Sequence, residues 1–184
     1  MITILVYSFA IFITLIYGAY IEWYVHGEDI MHSKSKVISR LKSFLRDDHL
    51  RSHHGDFPPH KYKNKDHPAG NVHLPWWVGT IFTGPVVFAT IPFSWYFERP
   101  GLLLSTSVTA VLHFIAYNYV HSCYHVPKER WFERIKLFMW MDAFHREHHV
   151  RHGQGKSVNL AVVLFLFDVI KGTAVFPRKD AMMT

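Results

Sequence analysis

The chain has 184 residues, enough for one domain, and its 15 Phe, 9 Tyr and 6 Trp exclude a disordered polypeptide. A single Cys excludes a disulfide framework and any thiolate metal cluster built within one chain. Twenty Lys and Arg against 14 Asp and Glu give +6, pointing to nucleic acid or a membrane surface, while 15 His point to metal.

In chain order, the first element is the uncharged run from Met1 to Ile21. At 1.5 Å per residue it makes about 31 Å of helix, matching a hydrocarbon core of about 30 Å. A cleaved signal peptide needs a basic start and a small-residue cleavage site, but the first Lys or Arg is Lys34. A retained span over about 2–24 is expected. A second uncharged run, Leu74 to Phe97, and a third, Pro100 to Val120, are separated only by Glu98 and Arg99. They read as a tight membrane hairpin over about 74–97 and 100–120. Trp76, Trp77, Trp95 and Tyr96 stand near the ends of its first arm, where interfacial aromatics belong. Pro85 and Pro92 should kink that arm, which neighbouring helices in a membrane tolerate. The last apolar stretch, Val158 to Phe167, is too short to cross.

Charge orients this arrangement. Nine Lys and Arg lie between Lys34 and Lys65, ten more between Lys128 and Lys179, and only Arg99 is left for the other side. The positive-inside rule therefore places segments 26–73 and 121–184 in the cytoplasm, at a bacterial inner membrane or the endoplasmic reticulum. Basic residues facing anionic headgroups account for the +6 without nucleic acid.

The histidines follow the same division. Eight lie in the first polar segment, six in the second, and only His113 falls within a span. His121 and His125 are spaced i, i+4, one above the other on a helix leaving the bilayer. His145, His148 and His149 present three imidazoles along one helix face. His49, His53 and His54 repeat the idea, and His26 and His32 form a looser pair. Imidazole suits iron, zinc and copper, and so many ligands exceed what one ion needs, so two ions are the economical reading. His152, three residues after His149, falls on the ligand side. His60, His67 and His73 lie among Pro58, Pro59, Pro68 and Pro75 and read as solvent or headgroup contacts. Each ligating imidazole also needs a partner for its other N–H. Glu22, Asp142 and Asp168 are the candidates, against the plainer roles of interfacial carboxylate, helix cap or surface ion pair.

Together, the segments His26-GEDIM-His32, His49-LRS-His53-His54, His121-SCY-His125 and His145-RE-His148-His149 resemble the histidine boxes of the fatty acid hydroxylase/sterol desaturase superfamily. The stretches YNYVHSCYH, MDAFHREHHVRHGQGKSVN and FDVIKGT resemble its fatty acid 2-hydroxylase branch most closely. The resemblance implies a single membrane domain over 1–184, all-α, with a cytoplasmic helical cap holding a di-metal site. It implies two iron ions, zinc being an alternative occupant of a purified sample, with O2 as co-substrate. The implied ligands are His26, His32, His49, His53, His54, His121, His125, His145, His148 and His149. The first box is longer than usual in the family, and Asn118 stands where many relatives carry an acidic residue. The implied substrate is the hydrocarbon chain of a membrane lipid, to be hydroxylated, or desaturated on the same scaffold. No haem or flavin module is recognisable, so a separate electron carrier of cytochrome b5 or ferredoxin type is expected. A His-rich metal transporter or sensor is the rival reading, for which only His113 supplies a polar ligand inside a span.

Overall fold

The computed structural model describes residues 2–27, 43, 53–67 and 72–177. Among these the regular structure is entirely helical. The main helices are α1 (Ile2–His26), α2 (Gly79–Tyr96), α3 (Pro100–His125), α4 (Lys136–His152) and α5 (Leu166–Lys171), with single turns at His54–Asp56, Pro59–Lys61, Trp76–Val78 and Trp131–Arg134. Three stretches, Thr3–His26, Trp76–Tyr96 and Pro100–His125, are long and apolar enough to cross a membrane. Apolar side chains surround these helices rather than forming one stripe. Ile4, Phe9, Phe88, Leu104 and Ile115 are all exposed, as expected of helices whose outer surface meets lipid rather than water.

The hairpin is tighter than its composition alone requires. Glu98 adopts a left-handed conformation, φ 53°, and Pro100 opens α3 at a position where no N–H is needed. Ser94 closes the loop twice, its carbonyl accepting from Arg99 N–H and its hydroxyl donating to Arg99 O, both at 2.8 Å. Arg99 in turn donates to Thr3 Oγ1 at 3.0 Å, tying the loop to the start of α1. At its other end α3 continues five residues beyond the expected limit of about 120, and so carries His121 and His125 on its last turns. Pro127 then stops it by denying the next residues a donor and an α-compatible predecessor.

Glycine sets how closely α1 approaches α3. A Cβ at Gly18 would lie 2.9 Å from the His113 ring, and one at Gly101 would lie 2.6 Å from Tyr7 Oη. The contact of α1 with α2 is far less extensive. There the chief polar link follows from a proline. Pro85 has no N–H to offer the carbonyl one turn back, and Tyr17 Oη donates to that carbonyl, Ile81 O, at 2.6 Å. We expect Tyr17→Phe to cost about 1–2 kcal/mol of unfolding free energy by stranding that acceptor. In a double-mutant cycle, Pro85→Ala restores an N–H to Ile81 O and should reduce that cost. Equal losses with and without Pro85 would disprove the substitution of one donor for the other.

Below this link, Ile21, Val25, Val78 and Phe82 form a packed core layer flanked by Tyr17, Leu74, Trp77 and Phe114. Burial along α1 accordingly rises toward its C-terminal end, where Ala19, Glu22, Trp23 and His26 are all within 5% exposure. That end of the bundle carries the histidines.

Candidate metal centre

Four pieces of chain bring imidazoles to one buried place. α1 ends on His26, a single turn at His54–Asp56 carries His53 and His54, α3 ends with His121 and His125, and α4 contributes His145, His148 and His149. His26, His121, His125, His145, His148 and His149 are at most 2% exposed and His53 is 4% exposed. The i, i+4 and i, i+3, i+4 spacings place each set on one helix face, so packing α3 against α4 suffices to face the rings. His32 and His49 lie outside the described residues.

His53, His121, His125 and His145 form a tetrad whose potential ligand atoms all lie within 4.8 Å of one another. His145 Nε2 is 3.1 Å from His121 Nε2 and 3.2 Å from His125 Nε2. One proton on His145 Nε2 cannot point at both neighbours, whereas a cation satisfies all three lone pairs together. Two nitrogens bound to one ion at about 2.1 Å stand about 3.0–3.4 Å apart for bond angles of about 90–109°. The observed spacings fall in that window, so the tetrad fits a transition-metal ion.

A second group adjoins the first. His54 Nε2 lies 3.1 Å from His148 Nε2, and His53 Nε2 lies 3.2 Å from His149 Nε2. The His26 ring is 5.3 Å from that of His148, and the half-buried His152 ring is 4.1 Å from that of His54.

Backbone carbonyls fix the far sides of three of the rings. Nδ1 of His125 donates to Tyr62 O at 3.0 Å, that of His148 to Val158 O at 2.8 Å, and that of His149 to Phe57 O at 2.8 Å. A carbonyl only accepts, so in the neutral ring each Nε2 is left as a lone pair facing the cluster. Burial and the neighbouring imidazoles hold His145 well below the usual histidine range, and burial lowers His148 to about 4. Both are therefore neutral at pH 7, as a metal ligand must be. His26 Nδ1 meets Tyr117 Oη at 2.8 Å, an oxygen able to accept from that nitrogen as a carbonyl does or to donate to it. If His26 offers Nε2 to a metal, that contact sets its tautomer, and Tyr117→Phe should weaken metal binding about 10–100-fold. Metal titration against a competing chelator checks this, and unchanged affinity would remove Tyr117 from the site.

Comparison with protein-family models returns no match. Searches of curated proteins and of solved structures likewise find nothing similar to this chain.

The acidic candidates occupy different places from those their sequence spacing suggested. Glu22, fully buried, binds His113 Nε2 through Oε1 at 2.5 Å. Its Oε2 accepts the backbone N–H groups of Val162, Val163 and Leu164 at 3.0, 2.8 and 3.3 Å. Asp168, also fully buried, accepts from Leu160 and Ala161 N–H at 2.8 and 2.9 Å and from the Thr173 hydroxyl at 2.7 Å. Asp142 accepts from Tyr62 Oη at 3.1 Å and Lys63 Nζ at 2.5 Å. Asn118 accepts Leu74 N–H at 2.7 Å, fixing the entry to α2. Among the described residues, none of these four makes its hydrogen bonds to a box imidazole. Glu22, Asp142 and Asp168 instead hold irregular segments whose carbonyls do so.

The clearest case is the segment 158–164. Glu22 and Asp168 grip its N–H groups, and Val158 O faces His148. Asn159, at φ 52°, completes the clasp by donating to Phe144 O and Val175 O, both at 2.8 Å. Asn tolerates the left-handed region better than most side chains. Tyr62 works similarly, its carbonyl holding His125 while its ring lies 4.7 Å from that imidazole. His60 and His73 are exposed, and His67 pairs with Asp56 at 3.2 Å. Sequence reasoning gave Tyr62 and Tyr117 no role; Tyr117 carried a weak signal, lying four residues before His121 on the same helix face.

Proposed function

We propose that this chain is a membrane-bound, O2-dependent hydroxylase of lipid hydrocarbon chains, using a non-haem di-iron centre in a cytoplasmic cap. The observation that carries this reading is the buried, all-imidazole cluster at the ends of three helices apolar enough to span a bilayer. His53, His121, His125 and His145 would hold one ion. His26, His54, His148 and His149 would serve the second, with His32 and His49 completing the motifs. Bound iron would supply O2 reduction and hydrogen abstraction from an unactivated C–H bond, chemistry that no side chain of this cluster performs alone.

The chain's own residues then have three tasks. Carbonyls of Phe57, Tyr62 and Val158 keep His149, His125 and His148 in one tautomer, so these ligands need no reorganisation. Burial of the rings excludes water, which protects a reactive site from losing oxidant to solvent. Placement at the helix ends lets a hydrocarbon chain approach from the bilayer without exposing its apolar surface to water. One oxygen atom enters the C–H bond and the other leaves as water. The reaction consumes two protons and two electrons, the latter from an external carrier of cytochrome b5 or ferredoxin type.

A metal transporter would need a ligand path through the spans. The intramembrane candidate, His113, is instead held by Glu22, whose other oxygen is filled by backbone N–H groups. The decisive assay incubates iron-loaded protein in lipid vesicles with reductant and ¹⁸O2. A hydroxylated lipid carrying one ¹⁸O is the expected product. Loss of two hydrogens without label would make the protein a desaturase, and an unchanged lipid pool would overturn both. For orientation, a cysteine-free variant with Arg99→Cys should label from outside intact cells and one with Lys156→Cys only after permeabilisation; the reverse would invert the topology.

A further inference from the structure

A cavity of about 550 Å3 lies between α1, α2 and α3, in the half of the bundle remote from the histidines. Its origin is the packing already described. Glycines bring α1 against α3 near both ends, at Gly18 and Gly101, while α1 and α2 meet only sparingly. The gap between α1 and α2 is left unfilled. Its volume falls within the range of about 300–1,000 Å3 typical of small-molecule sites.

The lining excludes a polar occupant. Four hydroxyl groups border it, and each is already committed as a donor to a helix carbonyl. Thr14 donates to Ala10 O at 2.8 Å, Thr90 to Val86 O at 2.6 Å, Thr106 to Leu102 O at 3.0 Å, and Tyr17 to Ile81 O at 2.6 Å. What faces the cavity is therefore methyl, aromatic ring and aliphatic chain, with no charged residue among the lining. Phe9, Ile13, Phe93 and Phe97 line it and are also about half exposed or more. The wall is thus continuous with the apolar outer face of the bundle, so the cavity opens toward lipid.

The cavity is also separate from the histidine cluster. The layer of Ile21, Val25, Val78 and Phe82 fills the bundle between them, and the Tyr17–Ile81 link and the Gly18–His113 contact close its edge. Along α1, the nine residue steps from Tyr17 to His26 span about 14 Å. A hydrocarbon chain in the cavity ends short of the imidazoles.

We propose that this cavity is a binding site for one alkyl chain of a bilayer phospholipid from the leaflet remote from the histidines, a resident chain rather than the reacting one. Only such a chain is abundant where the cavity opens, and it matches the lining in having no group that requires a hydrogen bond. The inference does not depend on the proposed reaction.

The test uses the full chain in phosphatidylcholine vesicles containing phosphatidylcholine with a photoactivatable diazirine near the methyl end of one acyl chain. Adducts should be several-fold enriched on peptides carrying Ile13, Thr14 and Thr90 over the equally lipid-facing Leu112 and Ile115. Ala10→Leu and Ala89→Leu, each narrowing the cavity, should reduce that enrichment without lowering metal content. Uniform labelling of all exposed apolar positions, or enrichment unaffected by either variant, overturns the proposal. Adducts on peptides bearing His53 or His145 would show that a chain passes through to the cluster. Disulfide-linked dimers formed in the same vesicles by a Cys123→Ser protein carrying Phe9→Cys or Phe93→Cys would make the groove an interface with a second copy and overturn the proposal.

Discussion

Replacing His145 by Ala is expected to abolish stable metal binding, because His145 Nε2 stands within 3.2 Å of both His121 and His125. It touches two other members of the tetrad at that distance. Removing it leaves only His53, His121 and His125, one ligand short of a four-coordinate site, and opens a void in a fully buried place. His60→Ala, at an exposed position, should retain metal in full. Elemental analysis of the two variants against the unaltered protein reads the difference directly. Equal metal contents would dissolve the assignment of the cluster as a metal centre. A folded-state control is needed only for His145→Ala, and His145→Gln supplies it by keeping volume while removing the imidazole nitrogen.

The second large effect is expected at Glu22. Glu22→Ala removes the acceptor of three backbone N–H groups and strands His113 in the interior of the bundle. Each buried donor left without its acceptor costs about 1–3 kcal/mol, so the four together should cost more than about 3 kcal/mol. A loss of that size should appear as a large fall in the midpoint of denaturation in detergent. Glu22→Gln keeps one carbonyl acceptor and should fall between the two. The double variant Glu22→Ala with His113→Leu should recover part of the loss, since it leaves no polar ring unsatisfied. A Glu22→Ala protein as stable as the original would show that the 162–164 segment is held by other means.

These two expectations mark where sequence reasoning succeeds and where it stops. The spans were legible because membrane helices must be apolar all round, a property that composition records. The facing of His121 with His125, and of His145 with His148 and His149, was legible because helical periodicity alone puts such residues on one side. The partners of Glu22 were not. His113 lies 91 residues away in the chain, and the other contacts are backbone N–H groups more than 139 residues away. Main-chain donors and acceptors are present at every position, so no residue type signals which of them will be used. The same holds for the carbonyls of Phe57, Tyr62 and Val158. Side-chain chemistry alone therefore points to carboxylates such as Asp142 and Asp168 as partners of the imidazoles. These carboxylates brace the irregular chain instead, and reach the site through the carbonyls that chain presents.

Proline supplies a parallel lesson. Pro85 and Pro92 were legible as places where α2 departs from ideal hydrogen bonding. That Tyr17, on another helix, would answer the carbonyl freed by Pro85 required the packing of α1 to be known. The cavity beside that contact likewise has no signature in any single segment.

The most direct measurement is X-ray absorption at the metal edge of protein purified without chelators, joined to the metal count per chain. The account requires close to two transition-metal ions per chain, each with a nearest shell of nitrogen or oxygen and strong outer-shell scattering from imidazole rings. A count below one ion per chain, or a shell lacking the imidazole signature, would contradict it.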